Sequence, residues 1–334
     1  MKVIAEKAGF SVMTVSLALR DHPRISRETK AKILRVSKQL GYRPNPLVST
    51  LMTHIRSTKP VNYQSNLAFF CYRRVWQLHW VQRSLFEGIK QRAEELGFFI
   101  DTFWLDDTEA NPRSLTKVLR SRNIQGVIVA PLPETRAFEE LDWQEWSAAA
   151  IGNTILKPRI NCATHHQYHG MSLMFETLWA KGYRRIGLAL DCFVDDKVDR
   201  TWSSCMAGWQ LRLASKDRVP IFLGEMKPAR VTQWLKKSRP EVVIGLDSVL
   251  DALQKEGWRI PQEIAFAHLS LPSTFSKRKL SGLDQNWGLA GAAAVDSVVA
   301  QIHRNERGIP DFPKTLMVEG RWIDGETAPG SVAG

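Results

Sequence analysis

No apolar stretch in this 334-residue sequence approaches the ~20 residues that a bilayer-crossing helix needs, so no membrane partner is expected. Cysteine is scarce. Cys71, Cys162, Cys192 and Cys205 are widely spaced and form no CxxC pair, which argues against a disulfide scaffold or a cysteine-rich zinc module. They read as reduced, mostly buried thiols of a cytoplasmic protein, and the N-terminus lacks the basic-then-apolar pattern of a leader. Also missing are a P-loop, a GxSxG elbow and a dinucleotide fingerprint. No acid–base or nucleophile constellation can be assembled, so the expectation is a protein that is not an enzyme and carries no cofactor. Neither a low-complexity tract nor a short internal repeat is present.

Charge is plentiful and unevenly placed. The chain has a formal net charge of +12, and residues 1–60 hold 12 Lys/Arg against 3 Asp/Glu, a net +9 that leaves +3 for the other 274 residues. A basic head on a nearly balanced body points to a polyanion contacted by the head. A solvated basic face produces the same bias, so charge alone does not decide. Hydrophobic residues at 44% and charged residues at 24% suit a soluble globular protein. The length suits a small domain plus a larger or bilobal one.

The head reads as three short helices. Val3, Ile4 and Ala8 mark the first over residues 2–8, before a turn at Gly9. Ser11 then stands as N-cap of a helix over about 12–20, and Ser26 caps a third that carries Ile33, Val36 and Leu40 and ends at Gly41. Asn45 followed by Pro46 starts a further short helix with Leu47, Leu51 and Ile55 on one side, and Thr58-Lys59-Pro60 reads as a linker. From residue 66 the pattern turns to alternating strands and helices. Strand-length runs lie at 67–72, 127–130, 186–190, 242–246 and 264–268, with helical stretches at 84–96, 113–122, 170–181, 230–238 and 248–256 between them. Gly97-Phe98, Gly182-Tyr183 and Gly257-Trp258 carry the helix-stop signature of glycine before an apolar residue. Repeated βαβ units imply parallel sheets with helices on both faces, and about 260 residues of them suit two lobes with a crevice at the strands' carboxyl ends.

Ala8-Gly9-Phe10-Ser11 supplies the tight glycine turn that separates a helix-turn-helix from a generic helix pair. In such a motif the second helix enters the major groove by its N-terminal residues. Here Thr14 and Ser16 are placed to donate to phosphates, while Val15 and Ala18 would pack inward. A small structural helical bundle fits the same spacing.

Residues 4–20, IAEKAGFSVMTVSLALR, and the following ISRETKAKILRVSKQLGYRPNPLVSTLM resemble the head and hinge of the lactose-repressor/galactose-repressor (LacI/GalR) family. The pattern AGxSxxTVSxAL, then a helix ending LGYxPN, carries the likeness. A looser likeness runs on through 178–188 and Ala207-Gly208-Trp209 to the end. The resemblance implies an α/β protein. An all-α helix-turn-helix head (1–44) and a hinge helix and linker (45–60) would precede a bilobal periplasmic-binding-protein-like domain of parallel βαβ sheets (61–334). It implies base-reading places at Val12, Met13 and Leu17, and phosphate-contacting places at Ser11, Thr14, Ser16, Ser26 and Thr29. Asn45, capping the hinge helix, is counted with them. Leu51 falls on the leucine that wedges into the minor groove and kinks the duplex, and plain packing between paired hinge helices fits the same residue. Met13 and Leu17 are apolar where the family is often polar, so readout would lean on thymine methyls, DNA shape and the wedge. Met1 falls inside the first helix, so either the natural start lies upstream or that helix is poorly capped.

In the body the resemblance puts Asn153, His165, Thr201, Cys205, Ser270, Gln285 and Trp287 at pocket-lining places, with Trp80 and Leu85 on the N-terminal lobe's side. Sugar-binding relatives present an arginine and an aspartate where Cys205 and Ser270 stand. Losing these charged clamps leaves a neutral, carbohydrate-like effector, held by amides, hydroxyls and stacking, as the expectation. The nearby cations by sequence are Arg200 and a protonated His165. The histidines of 165–169 have zinc-like spacing, but no carboxylate or cysteine follows at ligand distance and a strand-to-loop setting is expected, so no metal is. Asp191, Asp195, Asp196 and Asp199 read as a solvated loop. The expected partners are therefore an operator duplex, a small effector and a second copy of the chain, because paired heads match symmetric half-sites. The alternative is a small-molecule binding protein of the same bilobal fold without a DNA role.

Overall fold

The computed structural model describes residues 2–19, 25–40, 65–73, 80–106, 112–138, 141–271 and 279–330. The hinge expected over 45–60, with Asn45 and Leu51, lies outside the described residues. The head comprises α1 (Lys2–Ala8), α2 (Val12–Leu19) and α3 (Arg27–Gln39). Gly9, at φ +74°, ends α1 in the left-handed conformation, and the Phe10 N–H donates back to the Ala5 carbonyl at 3.0 Å. Glycine takes that conformation without the Cβ penalty other residues meet. Ile4, Ala8, Val15, Ala18 and Ile33 close a small core, so Val15 and Ala18 do face inward.

The rest of the described chain builds two six-stranded sheets. The N-terminal lobe is formed by β1 (Ser65–Cys71), β2 (Phe98–Trp104), β3 (Gly126–Val129), β5 (Ser147–Ile151), β7 (Asn161–His165) and β13 (Thr315–Val318). These lie in the order β13-β7-β5-β3-β1-β2, all parallel. A small parallel pair, β4 (Arg136–Ala137) and β6 (Ile155–Lys157), flanks them. The C-terminal lobe is formed by β8 (Ile186–Leu190), β9 (Phe222–Leu223), β10 (Val242–Gly245), β11 (Ala265–Leu271), β12 (Ser281–Asp284) and β14 (Arg321–Ile323). Their order is β14-β12-β11-β10-β8-β9, with β14 alone antiparallel to its neighbour. The five strand runs and five helices expected between residues 66 and 268 all occur, with ends shifted by a few residues. Gly97, Gly182 and Gly257 all have positive φ at the helix stops read from sequence.

Helices α4 (Trp80–Glu95), α5 (Pro112–Ser121) and α11 (Trp287–Arg304) belong to the N-terminal lobe. Helices α6 (Gln167–Ala180), α7 (Cys192–Lys197), α8 (Thr201–Gln210), α9 (Pro228–Ser238) and α10 (Asp247–Lys255) cover the C-terminal lobe. The chain crosses between lobes from β7 into α6, from β12 into α11, and from β13 into β14. Helix α11 lies against α4 at backbone distance. A Cβ on Gly88 would sit 2.0 Å from the Gly288 carbonyl oxygen, and one on Gly291 2.5 Å from that of Leu85. That approach sets Trp287, the first residue of α11, beside the crossings.

Two sequence expectations need correction. The aspartates of 191–199 are not all a solvated loop: Asp191 stands at the N-cap of α7, Asp195 and Asp196 lie within it, and Asp195 is buried, while Asp199 follows the helix exposed. The histidines lie where β7 passes into α6, with His166 as the helix N-cap, rather than in a strand-to-loop setting. Among the thiols, Cys71 and Cys205 are buried, Cys162 is half-buried and Cys192 is exposed, and all four are free.

Candidate nucleic-acid interface and interlobe cleft

At the start of α2 the Ser11 hydroxyl accepts from the Thr14 N–H at 3.0 Å and lies 2.8 Å from Thr14 Oγ1. Ser26 does the same for α3, accepting from the Thr29 N–H at 3.2 Å and donating to Thr29 Oγ1 at 2.9 Å. Four of the five hydroxyl residues expected at phosphates thus form two caps, each at a helix N-terminus open to solvent. Anions favour such an end, where free N–H groups and the helix dipole coincide. Between the caps, Met13 is 74% exposed and Val12 42%, while Leu17 is half-buried one turn on. Exposing two large apolar side chains on a small domain is unfavourable unless something covers them. Ser16 lies on α2, with its side chain outside the described residues.

The second constellation sits where the chain crosses between lobes. His165, the last residue of β7, is 3% exposed, and neither ring nitrogen has a hydrogen-bond partner among the described residues. Burial pushes its pKa down to about 4, so the imidazole is neutral. Its ring meets Trp287 edge to face, with centroids 4.4 Å apart and planes at 89°. Trp287 in turn donates its indole N–H to Ser270 Oγ at 3.1 Å, joining α11 of one lobe to β11 of the other. Ser270 owes its position to an irregularity in β11. Register with β12 shifts between His268 and Leu271, and the Ser270 N–H donates to His268 Nδ1 at 3.0 Å. Gln285 is buried at the second crossing and donates to the Leu269 carbonyl at 2.9 Å.

His165, Ser270, Gln285 and Trp287 are therefore brought together. Asn153 is half-buried just after β5, with its Oδ1 3.8 Å from Cys162 Sγ, and Thr201 is half-buried at the start of α8. Two expected lining residues do not face a cleft. Leu85 is fully buried in the N-terminal lobe core, and Cys205 is 1% exposed in the C-terminal lobe core, where burial raises its pKa. Trp80 starts α4, with its side chain outside the described residues. Arg200 turns away to Asp196 at 2.8 Å.

Sequence reasoning missed Gln167 and Asp195. The buried Gln167 Oε1 accepts from the Trp202 indole N–H at 2.9 Å. Asp195 accepts from the Ser203 N–H at 3.2 Å and from its hydroxyl, capping α8. Both partners are distant in sequence or hidden among other aspartates, so no local signal marks them.

Residues 1–45 match the family model "Bacterial regulatory proteins, lacI family", and residues 175–328 match "Periplasmic binding protein-like domain". The HTH-type transcriptional regulator DegA of Bacillus subtilis (strain 168) is 28% identical over 155 residues, 44% of this chain and 42% of that protein. The match thus spans less than half of that relative's length. Among solved structures, a complex of the transcriptional regulator CelR with cellobiose superposes with a TM-score of 0.57 at 15% identity, covering 97% of this chain and 98% of that one. The lac repressor dimer bound to operator and the anti-inducer ONPF gives a TM-score of 0.58 at 17% identity, covering 97% of each chain. At such identity these two likenesses speak for the fold.

Proposed function

The chain belongs to the lacI family of bacterial regulatory proteins, and on that premise we propose that it is a transcription regulator. It binds a pseudo-palindromic operator as a homodimer, acts as a repressor, and responds to a neutral, carbohydrate-like effector between its lobes. The observation that carries the DNA reading is the start of α2, where Val12 and Met13 stand exposed beside the Ser11 cap on a head with net charge +9. Polar caps positioned for phosphates with apolar side chains for thymine methyls make one coherent face. The hinge residues Asn45 and Leu51 complete the interface in this reading, and the domain limits at 44 and 60 follow from it.

The effector reading rests on the two cations expected near the cleft. His165 is neutral, and Arg200 is engaged by Asp196. Neither candidate cation is available to an anionic ligand, whereas His165, Gln285 and the half-buried Asn153 suit hydroxyl groups.

One experiment tests both halves. The full chain is used to enrich duplexes from a random pool, and the winners are challenged with neutral sugars and with the matching sugar acids. An inverted repeat should emerge, its affinity should fall linearly with log salt through counterion release, and neutral sugars alone should alter it. Enrichment of no symmetric site sinks the operator reading. A response only to sugar acids sinks the neutral effector.

A further inference from the structure

Both parallel sheets aim the carboxyl ends of their strands at the cleft, so the starts of β8 and β10 lie on the far face of the C-terminal lobe. That face is tied together by one carboxylate and one guanidinium. Glu241 accepts from the backbone N–H groups of Arg184 and Arg185, at 2.6 and 3.2 Å. Arg185 donates to the carbonyls of Arg239, at 3.0 Å, and of Ser238 and Lys216. The end of α9, the turn Ser215–Asp217 and the start of β8 are thereby drawn onto a single surface.

The exposed charges there are mostly of one sign. Arg184, Lys216, Arg218, Lys236, Lys237 and Arg239 are all exposed, and among the described residues none forms an ion pair within 4.0 Å. Elsewhere in the body Arg92, Arg120, Arg259 and Arg304 hold carboxylates. Two local acids, the exposed Glu241 held by backbone amides and the half-buried Asp217, offset only part of these six positive charges. Like charges gathered this closely repel, and the cost is relieved when an anionic partner arrives.

The kind of partner follows from what accompanies the charge. Protein interfaces have apolar or aromatic centres and are depleted in lysine. Here Leu211 is the large exposed hydrophobic residue nearby, and the Arg184 guanidinium covers Trp179 at 4.4 Å from the ring centroid. Lysine and arginine without an apolar centre fit a phosphate backbone, where duplex DNA carries one charge per ~1.7 Å. We propose that the far face of the C-terminal lobe is a second, sequence-independent binding surface for duplex DNA, separate from the head. One molecule would then hold a duplex by its head and a second segment by its body.

The test is capture of two duplexes by the full chain. A random-sequence duplex is immobilised, the protein is bound to it at low salt, and retention of a second, fluorescent random duplex is measured. Lys216→Glu with Lys236→Glu and Lys237→Glu should cut retention of the second duplex by about tenfold or more. Binding to the first duplex should change by less than about twofold. The same three positions changed to Gln should give an intermediate loss, and an unaltered melting temperature separates charge from misfolding. A charge-reversed chain that still captures the second duplex at the wild-type level overturns the proposal, as does a wild type that captures only the first. A wild type that retains neither overturns the head reading as well. Should poly-glutamate compete as well as duplex at equal salt, the surface is a docking site for an acidic protein and the DNA assignment fails.

Discussion

His165 combines two properties that stability alone does not favour: it is almost fully buried, and both ring nitrogens lack a partner among the described residues. Leaving a buried polar group unsatisfied costs ~1–3 kcal/mol, so a phenyl ring of similar shape should fit the site at least as well. His165→Phe is expected to match or exceed the wild type in urea unfolding at pH 7.5. The linkage then has a definite sign. The folded pKa is about 4, below the ~6.5 of an unfolded histidine. Between those values the unfolded chain takes up a proton that the folded chain refuses. Wild-type stability therefore falls as pH drops from about 6.5 toward 4, by on the order of 3 kcal/mol from this group, and His165→Phe escapes that loss. If the phenylalanine variant is instead much weaker at pH 7.5, the imidazole is a structural group and its link to a ligand lapses. The residue itself was legible in the sequence only through the family likeness. Its isolation was not, because it depends on where β7 ends and where Trp287 lands.

At the scale of elements, the helix stops were the clearest local signal. Gly97, Gly182 and Gly257 all adopt positive φ before the next strand or turn, as glycine before an apolar residue implies. Helix α11 escaped detection because WGLAGAAAVDSVVAQIHR is apolar nearly all round, which leaves no face for periodicity to reveal. The short strands β13 and β14 carry no strong alternation either, and both exist because the chain must cross between lobes. Helix α8 was hidden by the aspartates before it. The residue at its N-cap position, Arg200, is left-handed and gives no capping side-chain bond, so the buried Asp195 supplies the acceptor from α7. Asp195→Ala should lower unfolding free energy by ~1–3 kcal/mol, the cost of leaving the Ser203 N–H and hydroxyl unmatched. Asp195→Asn, which keeps an acceptor, should lose less. Equal losses for both variants would show that the negative charge of the carboxylate, not a hydrogen-bond acceptor alone, holds α8 in place.

For the whole molecule, charge and tryptophan are divided between head and body in a way that makes their stabilities separable. The head, with a net +9 over residues 1–60, contains none of the 12 tryptophans, since the first is Trp76. Its buried hydrophobic core consists of Ile4, Ala5, Ala8, Val15, Ala18 and Ile33, half of them alanine. So small a core gives marginal stability, whereas two six-stranded sheets bury far more apolar surface. Heating the full chain without DNA should thus melt the head first. Circular dichroism at the helix wavelength should show an early, small transition that tryptophan fluorescence does not see, followed by a larger one common to both. Ligands that bind only the folded form raise its apparent stability by mass action. An enriched duplex should therefore shift the early transition upward and leave the main one nearly in place. Coincident transitions by both probes would mean that head and body unfold as one unit, and the division at residues 44 to 60 would have to be abandoned.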